Sequence, residues 1–397
     1  MTEGFTYNIE TIDMLTQAEV YGKILVEMGQ TNKDIVVLTA DLMRSNKTGE
    51  FFRAFPERSF NVGIAEQNLF GVAAGLARAG KIPFASTFAA FASMRACEQV
   101  RTDIAYNDLP VKIVATHSGL SMGTGGPTHF ATEDIAIMRS MANMTVIVPA
   151  DAIETARAVA ACVDWPGPVY IRIGRGLEPV AYDDENYDYE IGRSVLMRDG
   201  SDITIICCGV AVLTGIEVSR QLEGEGLSVR AINMHTIKPI DREAILKAAK
   251  ETKFIITAEE HNIIGGLGSA VAEVLAEEGA SVRLKRLGVR DEYSEIGYPE
   301  ALYNRYNLDP DSMLADYRRP QGRGGFLSSP GPEKNLQVGA LAPVKDRRVG
   351  WSVSPRGRSR PLPISKLQLS SVMCRCIRLS NSHPINDLII PRSKGAR

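Results

Sequence analysis

Residues 59–68 read SFNVGIAEQN, residues 80–103 read GKIPFASTFAAFASMRACEQVRTD, and residues 111–134 read VKIVATHSGLSMGTGGPTHFATED. Short apolar runs open the three segments, and one acid, two phenylalanines and two histidines stand at or just beyond the ends of those runs. Chemically active side chains gathered where strands end is the layout of an active site on a parallel sheet.

Glu66 follows the extended run FNVGI and precedes QNLFGVAAGLARA, whose small and apolar residues predict a mostly buried helix. An acid on a near-apolar element is costly to desolvate unless it is paired or does chemistry. The competing reading is a first-turn acid that offsets the helix dipole. Phe88 and Phe91 lie three apart and share one face if their segment is helical, a spacing that also suits an ordinary core pair. The run VKIVAT ends at His117, and the glycine-dense loop SMGTGGPTHF delivers His129. Loop histidines after strands suggest function, although each alone is also read as an ordinary loop residue.

Outward from this centre the pattern stays α/β. TIDMLTQAEVYGKILVEMG has apolar residues at helical spacing, and DIVVLTADL is a strand that runs into Asp41 and, four residues on, Ser45. Asp41 reads equally as a cap of the next helix or as a functional acid. FASMRACEQVRTDIAYND is read as a helix whose Arg95 and Arg101 face solvent or a subunit, an active-site place for Arg95 being the alternative. ATEDIAIMRSM is a helix with Glu133 and Asp134 in its first turn, as the dipole prefers. PVYIRIGRG is the last strand of this unit. There Arg172 and Arg175 alternate with Ile171 and Ile173, which predicts both arginines off the apolar side, in a surface salt bridge or on a substrate.

EPVAYDDENYDYE has the acidic, aromatic and proline-marked composition of a linker. After it, IGRSVLMRDG, SDITIICCG, FIITAEEH and the helices between them make a second, smaller α/β unit, with LSVRAINMHTIKPID read as a strand and exit loop. GGLGS at 265–269 lacks the full dinucleotide pattern and is read as a close approach at a helix start, against a neighbouring subunit. Cys207 and Cys208 are expected to be inert core thiols.

These residues resemble, strongly, the pyrimidine-binding domain of thiamine diphosphate enzymes, and most closely the C-terminal half of transketolases, including those encoded as two chains. The resemblance runs from ADLMRSN to PADAIET, and the second unit resembles the transketolase C-terminal domain throughout. It implies two three-layer α/β domains with mostly parallel sheets: residues 1–180, a linker at 181–190 and residues 191–319. It also implies roles. Glu66 would hydrogen-bond the cofactor's pyrimidine and promote the iminopyrimidine tautomer; Phe88 and Phe91 would pack on that ring, with Met94 where a third aromatic often follows. Asp41 would face the cofactor. His117 and His129 would line the substrate channel and move protons or hold hydroxyls, and Ser45 and an arginine of the 172–175 segment would meet substrate phosphate. Two positions depart from the pattern: Gly125 stands where transketolases commonly carry an acid that reads a donor hydroxyl, and no phosphate-binding arginine is evident around MLTQAEVYG.

The implied reaction moves a two-carbon ketol unit from a ketose, phosphorylated or not, to an aldose. Alternatives are a 1-deoxyxylulose 5-phosphate synthase, the β subunit of a 2-oxoacid dehydrogenase, and a structural subunit that has lost catalysis. No GDG motif is present to hold the Mg2+ or Ca2+ of the diphosphate, so no metal site is expected on this chain. The resemblance therefore implies an N-terminal, diphosphate-binding partner subunit, with two copies of each chain in an α2β2 heterotetramer. VAAGLARAG and GSAVAEVLAEEG offer apolar helix surface for such an interface.

Bulk properties frame the same picture. The 397 residues are 44% hydrophobic with a formal charge of −2, and no run is long enough to span a bilayer. Neither a secretory signal nor a disulfide or zinc spacing among the six cysteines is visible, which makes cytoplasmic placement the default. Residues 318–397 hold 12 Arg and 4 Lys against 2 Asp and 1 Glu, a net +13 that leaves −15 on residues 1–317. This Arg-, Pro-, Gly- and Ser-rich end from 320 on is expected to lack order. With one Trp and one Phe it has few rings for stacking on bases, so nucleic acid is not the expected partner. A reading frame shifted past the natural end is favoured over a functional tail.

Overall fold

In the computed structural model the residues described are 15–176, 180–182 and 187–318; the basic end from 320 lies outside them. The chain opens with α1 (Gln17–Thr31), β1 (Ile35–Thr39), α2 (Gly49–Ala54), β2 (Ser59–Asn61), α3 (Glu66–Arg78) and β3 (Ile82–Phe88). A helical segment over 91–105 includes the short α4 (Cys97–Gln99), and β4 (Lys112–Thr116), α5 (Asp134–Ser140), β5 (Thr145–Ile147), α6 (Ala152–Cys162) and β6 (Val169–Arg172) follow. The second unit comprises β7 (Val195–Arg198), β8 (Ile203–Cys207), α7 (Ala211–Gly224), β9 (Val229–Asn233), β10 (Thr236–Lys238) and α8 (Arg242–Glu251). It ends with β11 (Phe254–Asn262), α9 (Leu267–Glu277), β12 (Arg283–Val289), α10 (Pro299–Arg305) and α11 (Pro310–Arg318).

The first sheet has the order β10-β5-β6-β4-β3-β1-β2 and the second β12-β11-β8-β9-β7. All pairings are parallel except β10 on β5 and β7 on β9. Parallel strands need helices on both faces, which is why β1, β4, β8 and β9 are buried along their whole length, polar side chains such as Lys112 and Asn233 included. Along β1 successive side chains serve opposite cores, Val36 and Leu38 on one side, Ile35 and Val37 on the other. Among the described residues no helix is long and apolar enough to cross a membrane.

Several local expectations change in three dimensions. The segment read as an exit loop contains β10, which leaves the second unit and adds antiparallel to β5, so the two sheets are tied by backbone bonds. The helix expected over 91–108 is wound mostly with i→i+5 bonds, as from Ala96 N to Phe91 O at 3.1 Å and Tyr106 N to Arg101 O at 2.9 Å. Such wide turns recur at functional sites because they re-aim side chains. The glycines before α9 make close approaches within the chain: a Cβ at Gly265 would overlap the Ala136 side chain, and one at Gly266 the Glu259 carboxylate. The apolar face of α9 is spent internally too, with Leu267, Ala270, Val271, Val274 and Leu275 buried. Large apolar side chains stay exposed elsewhere, at Ile64, Tyr106, Tyr293, Ile296 and Tyr298. Cys207 and Cys208 are buried, and burial pushes the Cys207 thiol up to about 12, which keeps it protonated and unreactive.

Candidate active site

β1, β3 and β4 are neighbours in the first sheet, and their carboxyl ends deliver Asp41, Phe88 and His117 to one edge. The chain turns sharply there. Asp41 and His117 both have left-handed backbones, at φ 60° and 58°. For residues with a Cβ this conformation is costly and persists where the surroundings enforce it, which is common at functional sites. Asp41 does not cap a helix, since Thr48 precedes α2. Its amide donates to Asn61 Oδ1 at 2.9 Å and its carboxylate accepts from Asn61 Nδ2 at 3.1 Å, joining the ends of β1 and β2.

Glu66 opens α3 and is 2% exposed. Its partner is Arg95, whose Nη1 stands 2.9 Å from both carboxylate oxygens, so the desolvated charge is matched. Arg95, read from the sequence as solvent- or subunit-facing, remains 46% exposed yet places its guanidinium 3.9 Å from the centre of the Phe91 ring. From Phe91 the contacts continue through rings. Phe88 and Phe91 stack with centroids 5.6 Å apart, Phe88 lies 4.1 Å from His117, and His129 meets Phe91 at 5.4 Å and Phe88 at 6.3 Å. Glu66, Arg95, Phe91, Phe88, His117 and His129 are thus one unbroken chain of contacts.

The two histidines differ. His117 is buried, its Nδ1 2.9 Å from Thr116 Oγ1, which itself donates to Asn46 Oδ1 at 2.9 Å. Burial, helped by the charges of Arg175 and His129, pushes its pKa down to about 4, so the ring is neutral at neutral pH. His129 is half-buried beside Thr128 Oγ1, 2.9 Å from its Nδ1. Titration of His117 followed by NMR should therefore show a midpoint near 4 in place of the usual 6.5. A folded pKa below the unfolded one favours the neutral ring. Its contribution to stability is fully present above about pH 6.5 and lost as pH falls toward 4. A midpoint near 6.5 would mean that solvent reaches this ring.

Arg172 and Arg175 separate. Arg175 lies beyond β6, is exposed, and donates to Met122 O at 3.2 Å. Arg172 is not off the apolar side: it is buried, with Nε 2.9 Å from Asp134 Oδ2 and 3.1 Å from Oδ1. Asp134 stands in the first turn of α5 as expected, but it is buried and accepts from Tyr170 Oη at 2.8 Å. The period-two reading failed because both faces of this parallel sheet are covered, so the side that Arg172 takes is interior too, while Arg175, three residues on, lies past the end of β6. Ser45 is half-buried, and Met94, 45% exposed, lines a small cavity of about 100 Å³ with Phe130, Glu133 and Tyr293. At Gly125 a Cβ would run into the side chain of Met122, which lies against the backbone there.

Residues 13–179 match the family model of the transketolase pyrimidine binding domain, and residues 192–313 that of the transketolase C-terminal domain. A putative transketolase C-terminal section from Methanocaldococcus jannaschii is 45% identical over 294 residues, 74% of this chain and 92% of the relative. This chain belongs to the transketolase family. It is also 41% identical to a 6-deoxy-6-sulfo-D-fructose transketolase subunit of a Clostridium species, over 75% of this chain and 91% of the relative. Among solved structures, a split gene transketolase described as an inactive beta4 tetramer aligns with a TM-score of 0.71 and 48% identity, covering 76% of this chain and 96% of that one. The chain thus matches the C-terminal subunit of a split-gene transketolase.

The pyrimidine of thiamine diphosphate makes two chemical demands on its site. An aminopyrimidine needs a carboxyl group at one ring nitrogen and apolar rings against its face. Glu66 and the Phe88–Phe91 stack supply both within one contact chain, so the transketolase site fits that end of the cofactor.

Proposed function

We propose that this chain is the C-terminal subunit of a transketolase that moves a two-carbon ketol unit from a ketose donor to an aldose acceptor, working with a second chain that supplies the diphosphate site. The continuity from Glu66 to His117 and His129 carries this reading, because it sets an acid, a ring platform and two proton-handling groups side by side. Thiamine diphosphate, when bound, supplies an acidic ring carbon and an electron sink for the bond that is cleaved. Glu66 would hold a proton at the pyrimidine nitrogen, and Phe88 and Phe91 would fix the ring plane, with Asp41 and Met94 as further cofactor contacts. His117, neutral and presenting the ring nitrogen not engaged by Thr116, can exchange a proton with a substrate hydroxyl; His129 faces it across the phenylalanines. Arg175 and Ser45 are the groups for an anionic substrate end, and Gly125 offers no acid to a donor hydroxyl. Arg172 is withdrawn from that set because its donors are taken up internally.

The partner requirement is supported by the description of the similar split transketolase as an inactive tetramer of β chains. The metal, Mg2+ or Ca2+, would sit on the partner subunit with the diphosphate. An α2β2 assembly is the arrangement we favour, with the exposed Ile64, just before α3, and Tyr106 as apolar surface for a partner chain. Free Cys97, Cys162, Cys207 and Cys208 suit a reducing cytoplasm.

The decisive measurement combines this chain, a diphosphate-domain subunit, thiamine diphosphate and Mg2+, with hydroxypyruvate or pyruvate as donor and an aldose as acceptor. Ketol transfer should appear with hydroxypyruvate and only when both chains are present. Turnover by the isolated chain would refute the subunit reading, and turnover from pyruvate alone would turn the assignment toward a synthase or oxoacid decarboxylating enzyme.

A further inference from the structure

Three consecutive buried residues at the end of β11, Glu259, Glu260 and His261, each reach a different part of the molecule. Glu259 accepts from the amides of Leu267 and Gly268 at 2.6 and 2.8 Å and so satisfies the first turn of α9. His261 Nε2 accepts from Ala136 N at 3.3 Å, in the first turn of α5. Glu260 serves no helix. Its carboxylate enters the loop between β4 and α5, where Oε1 accepts from the Leu120 amide at 2.8 Å and from the Tyr303 hydroxyl at 2.9 Å.

That loop carries both active-site histidines. His117 stands two residues before Gly119 and His129 two residues before Ala131, and Gly119 and Ala131 exchange a pair of backbone hydrogen bonds of 3.1 Å that close the loop at its neck. Glu260 and Arg172 grip this neck together. Arg172 Nη2 donates to Ala131 O at 3.0 Å and to Glu260 O at 2.8 Å, while Nη1 lies 3.8 Å from Glu260 Oε2. Gly119 has φ +56°, and a Cβ there would overlap the Glu260 carboxyl group, so the approach of the carboxylate and the turn of the loop both require glycine.

We propose that Glu260, contributed by the C-terminal domain, is a positioning residue for the chemistry in the pyrimidine-binding domain: it fixes the neck of the 119–131 loop and with it the placement of His117 relative to His129. The proposal rests on the ketol-transfer reading of the site. It gives the C-terminal domain a catalytic purpose, since that domain delivers Glu260 and Tyr303 to a loop it does not contain. A carboxylate held between a backbone amide, a hydroxyl and a guanidinium is rigid. Misplacing a reacting group by about 1 Å can cost roughly 10²-fold in rate.

The test uses the full chain assembled with its diphosphate-domain subunit, thiamine diphosphate and Mg2+, and in parallel the chain alone. In Glu260→Ala, kcat/KM for hydroxypyruvate should fall roughly 10²-fold. Deuterium exchange at the cofactor's reactive carbon, which depends on Glu66, should change little. In the chain alone, amides of peptides covering 119–131 should exchange about tenfold faster as the loop opens locally. Glu260→Gln keeps an acceptor oxygen for Leu120 and Tyr303 and should recover most of both losses. Tyr303→Phe, a milder change, should loosen the same peptides and stands in if Glu260→Ala does not fold. Unchanged loop exchange in these variants overturns the proposal. So does a fall in carbon exchange equal to the fall in sugar turnover, which marks a general structural defect. A wild-type complex without ketol transfer, but with the loop responding as described, would remove the ketol-transfer reading and leave the clamp standing.

Discussion

Glu66→Gln is expected to lower turnover by ~10²- to 10⁴-fold, the range for removal of a proton-transfer group, while folding and assembly stay close to wild type. Glutamine has the size of glutamate and can still accept a hydrogen bond, but it cannot carry the proton that the pyrimidine nitrogen requires. The structure explains why stability should survive. Arg95, the partner of Glu66, is 46% exposed and packs on Phe91, so losing the carboxylate leaves its guanidinium hydrated and stacked rather than buried alone. The measurement is single-turnover kinetics of the assembled complex beside a denaturation curve of the chain. Near-wild-type turnover in the presence of partner and cofactor would remove Glu66 from the mechanism. A collapse in stability would show that the Glu66–Arg95 pair is primarily structural.

Arg172→Met is expected to destabilise the fold by ~3–5 kcal/mol, the usual cost of removing one member of a buried ion pair. The loss comes from what remains behind. Asp134 and Glu260 are both buried, and without the guanidinium two carboxylates lie in the interior with Tyr170, Leu120 and Tyr303 as hydrogen-bond donors and His261 Nε2 4.0 Å from Asp134. Burial already pushes the Glu260 carboxyl up to about 7 with Arg172 in place. Chemical denaturation reads the effect as a fall in midpoint. The competing role for this arginine, on a substrate phosphate, predicts a different result: stability retained, with KM raised for a phosphorylated donor alone. That outcome would return Arg172 to the substrate site.

The sequence by itself determined the family-defining part of this molecule. Apolar runs of strand length alternating with helical patterns state a parallel sheet covered on both faces, because such strands have no polar side to show. Motifs at the ends of those runs marked Glu66, Phe88, Phe91, His117 and His129, and the structure brings these five together. This was legible because the motifs that carry these residues stand in the order and spacing of the family the chain resembles; taken singly, each also read as an ordinary cap, core or loop residue.

What only the tertiary structure decided depends on distant partners. Whether Arg95 faces solvent or Glu66 turns on the wide helical winding at 91–95, which shifts side chains by a residue and leaves no signature in composition. Arg172 read as a substrate contact or a surface salt bridge, and its interior place shows only once Asp134, 38 residues earlier, and Glu260, 88 residues later, are seen around it. The strand β10 hid inside an apparent exit loop because three residues of edge pairing are too short to show a period. The role of Glu260 was invisible for the same reason. A carboxylate in a buried strand is costly on every local measure, and its matching amide, hydroxyl and guanidinium come from three other segments that only folding brings within 4 Å.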